Sequence, residues 1–181
     1  MHDSRHFGRT LLFSAAAAAL IASGTANAQP ADRDGVAVPA SSAAERTPFF
    51  GIWELDLNRM PDNYGPPPKR VTFTFEDAGS GKWRTTVEIT AHDDSVRRVS
   101  VEYLRDGRAV RGEGDNADAD TAAVSSPAPN VLVFSMAKDR HLAGVRTYVT
   151  SPDGQEMTES AANVDGSGQP FVRNFHFRRI R

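Results

Sequence analysis

The chain of 181 residues contains no cysteine. A disulfide framework and a cysteine nucleophile are both excluded, so the core alone must hold whatever fold forms. Nor is there an excess of one charge, with 21 Lys and Arg against 23 Asp and Glu. So mild a balance gives no electrostatic basis for binding nucleic acid or an anionic membrane. No segment of the later chain keeps a helical hydrophobic period for three turns, which argues for a domain almost free of helix. Gly-x-Ser-x-Gly, phosphate-loop and dinucleotide motifs are also missing, so no catalytic residue is assigned. The one long apolar run, residues 11–22, falls short of the ~20 residues that span a bilayer.

That run does have a reading. Arg5 and Arg9 precede it, and Ala26-Asn27-Ala28 follows with small residues where a signal peptidase reads, so residues 1–28 are expected to be a cleaved signal peptide. The protein is then expected in the periplasm or secreted, with no stable membrane insertion after cleavage. Removal takes two Arg and one Asp and leaves a formal charge of −3. Residues 29–48 are Ala, Ser, Pro and Asp/Arg with almost no large apolar side chain, and read as a disordered linker. Residues 49–181 suffice for one domain and are too few for two.

Within that domain the apolar residues alternate. Trp53, Leu55 and Leu57 alternate with Glu54 and Asp56; Val71, Phe73 and Phe75 share a face, as do Trp83, Thr85, Val87 and Ile89, and then Val99, Val101 and Tyr103. A period of two marks half-buried strands. Gly79-Ser80-Gly81, His92-Asp93-Asp94, Lys138-Asp139 and Pro152-Asp153-Gly154 supply the turns. Residues 58–68, with four prolines, form a loop across one end. Eight strands are clear, and residues 109–114 and 121–125 allow two short ones. The expected fold is all-β: a single antiparallel up-and-down barrel of eight to ten strands, closed by pairing of the first and last.

The Gly51-Ile52-Trp53 that opens this meander, with the basic end Arg178-Arg179-Ile180-Arg181, resembles the calycins, the lipocalin and fatty-acid-binding-protein-like barrels. The resemblance implies that Trp53 plugs one end under a basic residue of the last strand. Residues 49–177, including the Pro-rich loop ending Pro67-Pro68-Lys69 and the stretch Gly112-Glu113-Gly114-Asp115, also look like bacterial exported lipocalin-like domains. Two departures stand out. The loop after the first strand has no room for the helical pair of fatty-acid-binding proteins. Their inward Arg-x-Tyr is matched at Arg173-Asn174-Phe175 in its Arg alone.

His92, His141 and His176 have no spacing that requires a shared metal, and Asp115, Asp118 and Asp120 lack the Gly and distal Glu of a calcium loop, so no metal or cofactor is expected. The candidate ligand-binding residues are Arg146, Tyr148, Arg173, Phe175 and Tyr103. Alternation sets Arg146 beside Tyr148, and Arg173 beside Phe175. If these faces point inward, each strand offers a cation next to an aromatic wall, suited to a carboxylate or phosphate. The other arrangement has the two arginines in solvent, or capping Trp53. The expected function is an exported, monomeric binding protein for a small hydrophobic or amphipathic molecule, a fatty-acid-like anion foremost. The alternatives are a filled barrel serving as an envelope interaction or structural protein, and an enzyme on a lipid-like substrate.

Overall fold

The computed structural model describes residues 47–61 and 64–181; the expected signal peptide and most of the expected linker lie outside them. Eleven strands run in chain order: β1 (Gly51–Leu55), β2 (Arg70–Gly79), β3 (Lys82–Thr90), β4 (Val96–Tyr103), β5 (Asp106–Arg111), β6 (Glu113–Gly114), β7 (Thr121–Ala128), β8 (Val131–Lys138), β9 (His141–Thr150), β10 (Glu156–Val164) and β11 (Pro170–Arg179). The helical content of the described residues is one 3-10 turn, Leu57–Arg59, which Asp56 caps by accepting from the Asn58 N–H at 3.2 Å. All strand pairings are antiparallel, in the order β5-β7-β8-β9-β10-β11-β1-β2-β3-β4-β6.

First and last strands pair as expected, with Trp53 opposite Arg179. The seam of the barrel lies elsewhere. β5 runs along β7, then beyond Gly112 the chain changes sides and β6 pairs with β4 through Val99↔Gly114 and Ser100↔Glu113. One bent stretch, residues 106–114, thus bridges both ends of the sheet and leaves the barrel nearly closed. Counted as a single strand it gives ten, the upper end of the expected eight to ten; its break makes eleven. Gly114 permits the change of sides: its φ is +99°, and a side chain there would strike the Arg98 carbonyl. Pro127 lies within β7 at a register shift between Ser125 and Ala128, where a missing N–H is tolerated.

Gly51 has a comparable role at the other end. Its φ is +133°, and any Cβ would collide with the carbonyl of Arg181 and the guanidinium of Arg179. This close approach lets the C-terminal backbone continue the sheet, with the Ile52 N–H donating to Arg181 O at 2.6 Å and the Ile180 N–H to Ile52 O at 2.8 Å. Trp53 lies just inside, fully buried; its indole Nε1–H donates to Phe49 O at 2.8 Å, and the Arg179 guanidinium carbon sits 4.2 Å from its ring centroid. Arg179 holds that position by donating to the carbonyls of Gly154 (2.6 Å), Phe50 and Pro48. Guanidinium over indole adds to the packing that shuts this end.

The core divides along the barrel. Towards the Trp53 end the interior is solid, packed with Phe49, Phe75, Trp83, Tyr103, Leu132 and Met157. Phe49 stands 5.6 Å from Phe75 and 6.2 Å from Trp83, centroid to centroid. Towards the end where the Pro-rich loop and the β3–β4 turn lie, the interior is open.

Candidate functional site

The open half encloses a cavity of about 530 Å³. Its walls follow from the alternation: Val71 and Phe73 from β2, Val87 and Ile89 from β3, Val101 from β4, Phe134 and Met136 from β8, Phe175 and Phe177 from β11. Such a volume, mostly apolar with a few polar groups, lies in the range of small-molecule sites, ~300–1,000 Å³. Pro66, Pro67, Pro68 and Tyr64 of the loop line the rim, where the Tyr64 ring meets Phe175 edge-on at 5.6 Å. Across the mouth, Arg97 donates from Nε to Asp115 (2.9 Å) and from Nη2 to Asp118 (2.7 Å). Those carboxylates, the Asp118 hydrogen bond foremost, hold the guanidinium above its ordinary pKa.

The ion pair of the interior lies on β9 and β10. Arg146 and Glu159 both line the cavity and form an ion pair, Arg146 Nη1 donating to Glu159 Oε1. Glu159 is 2% exposed, whereas the Arg146 side chain keeps 32% of its surface, facing the open space. Burial pushes the Glu159 carboxyl up, against the downward pull of Arg146. Burial is the largest single influence on Arg146 and opposes its charge, but Glu159 and the other acidic groups near it together hold the guanidinium above its ordinary pKa. Tyr148, opposite Glu159 in the register, is buried between Phe73 (5.5 Å) and Phe134 (5.4 Å). Burial, then the Glu159 charge, raises its phenol well above the ordinary value, so it is a neutral hydroxyl at any physiological pH.

The five residues singled out from the sequence occupy three levels. Arg146, Tyr148 and Phe175 line the cavity together. Tyr103 lies below it in the solid half, edge-on to Phe134 at 5.4 Å, its hydroxyl 2.7 Å from Thr85 Oγ1; it touches the cavity through Thr85. Arg173 stands outside the lining, its guanidinium carbon 4.7 Å from the Phe171 ring and 5.7 Å from that of Tyr64. Glu159 is not among those five, although the sequence does carry a signal for it: it falls between Met157 and Ala161, on the inward-facing alternation of β10. The histidines are dispersed. His92 is at the mouth, His141 is exposed at the start of β9, and His176 on β11 approaches Thr158 at 3.5 Å.

No family model and no curated protein matches the chain. Among solved structures, it is similar to a mutant of the fluorescent protein UnaG, at 17% identity and TM-score 0.47, covering 74% of this chain and 97% of that one. It is also similar to a zebrafish ileal bile acid-binding protein complexed with cholic acid, at 14% identity and TM-score 0.45, covering 74% of this chain and 100% of that one.

Proposed function

We propose that this protein is an exported binding protein that encloses one small hydrophobic or amphipathic molecule in the open half of its barrel. The observation that carries the reading is the cavity itself: about 530 Å³ of space walled by Val, Ile, Met and Phe beneath a Pro-rich rim. Empty apolar space forfeits packing contacts that a filled core would make. The solid half of the same barrel has large aromatic residues at the equivalent inward positions. A barrel of this size can hold one small ligand.

An acyl chain suits the walls formed by Val71, Val87 and Val101. Arg146, Tyr148 and Phe175 are the proposed contacts at its polar end, and Arg173 with Tyr64 the contacts at the rim. The fatty-acid-like anion favoured from the two arginines meets one complication, the internal partner of Arg146. Export rests on the signal-peptide pattern of residues 1–28; the mature chain then begins at Gln29 and acts as a monomer.

Native mass spectrometry of protein purified from its own host tests the reading. A one-to-one adduct that organic extraction removes is expected; preparations that are uniformly empty, and remain so after incubation with long-chain amphiphiles, contradict it.

A further inference from the structure

The floor of the cavity carries a charge pattern that selects among amphiphiles. Only Nη1 of Arg146 is engaged by Glu159 among the described residues, and only through Oε1. The guanidinium therefore keeps N–H donors for a ligand, and the carboxylate beside it keeps an acceptor oxygen. Thr85 and Tyr148 add two hydroxyls to the same lining. Among the described residues that line the cavity, three arginines meet four carboxylates, and Arg97 at the mouth is already held by Asp115 and Asp118. These lining residues carry no net positive charge to receive an anion.

From this arrangement we infer that the ligand is a neutral amphiphile whose head group both donates and accepts hydrogen bonds, such as a hydroxyl or primary amide, seated across Arg146 and Glu159. This inference rests on the cavity being a ligand site, as proposed above. An ionised carboxylate at the same place would face Glu159 at close range in a water-poor interior, where like charges oppose one another strongly. An uncharged amide or alcohol satisfies the spare donor of Arg146 and the spare acceptor of Glu159 together. It leaves the internal ion pair intact, and breaking such a pair by claiming one partner leaves a buried charge uncompensated.

The test follows uptake of the uncharged dye N-phenylnaphthylamine by its fluorescence, then displaces it with amphiphiles of one chain length. At mildly alkaline pH, where dodecanoate is ionised, dodecanamide and dodecanol displace the dye about tenfold or more tightly than dodecanoate. The variant Glu159→Gln, with its fold checked by near-ultraviolet circular dichroism, narrows that ratio by improving dodecanoate binding. The wild-type comparison stands by itself if the variant does not fold. Dodecanoate binding as tightly as the amide in the wild-type protein overturns the head-group inference and leaves the cavity reading in place. No dye uptake and no binding of any of the three overturns the cavity reading, and the inference with it.

Discussion

Gly51 and Trp53 act as a unit. The glycine admits the C-terminal backbone and the Arg179 guanidinium, and the guanidinium covers the indole. Gly51→Ala adds a Cβ at a φ of +133° where there is no room, and is expected to lower stability by more than about 1 kcal/mol in denaturant unfolding. A second effect at this scale is the response to pH. Asp93, Asp153 and Asp165 are held below the usual carboxylate range chiefly by the hydroxyls of Ser95, Ser151 and Ser167, and Asp115 and Asp120 chiefly by the backbone N–H groups of Ala117 and Asp139. A carboxyl depressed by folding contributes stability above its unfolded pKa and loses it as pH falls through the folded value. Thermal melts are therefore expected to show a midpoint that drops as pH is taken below about 4, less steeply for Asp165→Asn. Glu159 works in the opposite sense: being raised, its contribution is complete below the unfolded pKa and fades as pH climbs through the folded one. Alternation made Arg146 legible beside Tyr148, and Phe175 beside Arg173, but left open whether those faces point inward; of the four, Arg146, Tyr148 and Phe175 line the cavity. Glu159 was not legible, because a carboxylate flanked by Thr158 and Ser160 reads as solvent-facing until its place between Met157 and Ala161 is weighed.

At the level of elements, the hairpins were the most legible part of the fold. Gly79-Ser80-Gly81 and Asp139-Arg140 take the positive φ values that tight turns demand. The closing seam was not readable. Residues 106–114 carry few apolar side chains and three glycines, so composition marks a weak strand without saying that it changes partners partway. That change concentrates weakness. β4 and β5 follow one another in the chain, yet on the side away from β3 the partner of β4 is the two-residue β6. Among the strands, hydrogen exchange is expected to reach the amides of β5 and β6 first, and those of β1, β10 and β11 last, because local opening begins where ladder bonds are fewest. Protection at the seam equal to that of the β10–β11 ladder would show the barrel to be continuous there.

For the molecule as a whole, solid and hollow halves of one barrel do different work. The Trp53 end supplies the buried area that a chain without disulfides requires, and the far end retains space at the expense of packing. Whether the barrel was filled could not be read from the sequence, where Gly144 and Ala161 suggest room while Phe73 and Phe175 suggest none. The answer depends on where along the axis each falls: Phe73 and Phe175 are walls of the cavity, and Phe75 and Trp83 fill the other half. Ala122 lines the cavity from β7, opposite Met136. Replacing it with Phe puts a ring into the open space without touching the polar floor. The most direct measurement is the uptake of N-phenylnaphthylamine by wild-type protein and by Ala122→Phe, with thermal melts of both. Saturable one-to-one uptake by the wild type is expected, with weakened or abolished uptake by a variant that melts at the same temperature or higher. Equal uptake by the two proteins would place the dye outside the barrel and contradict the claim that its interior is the binding site.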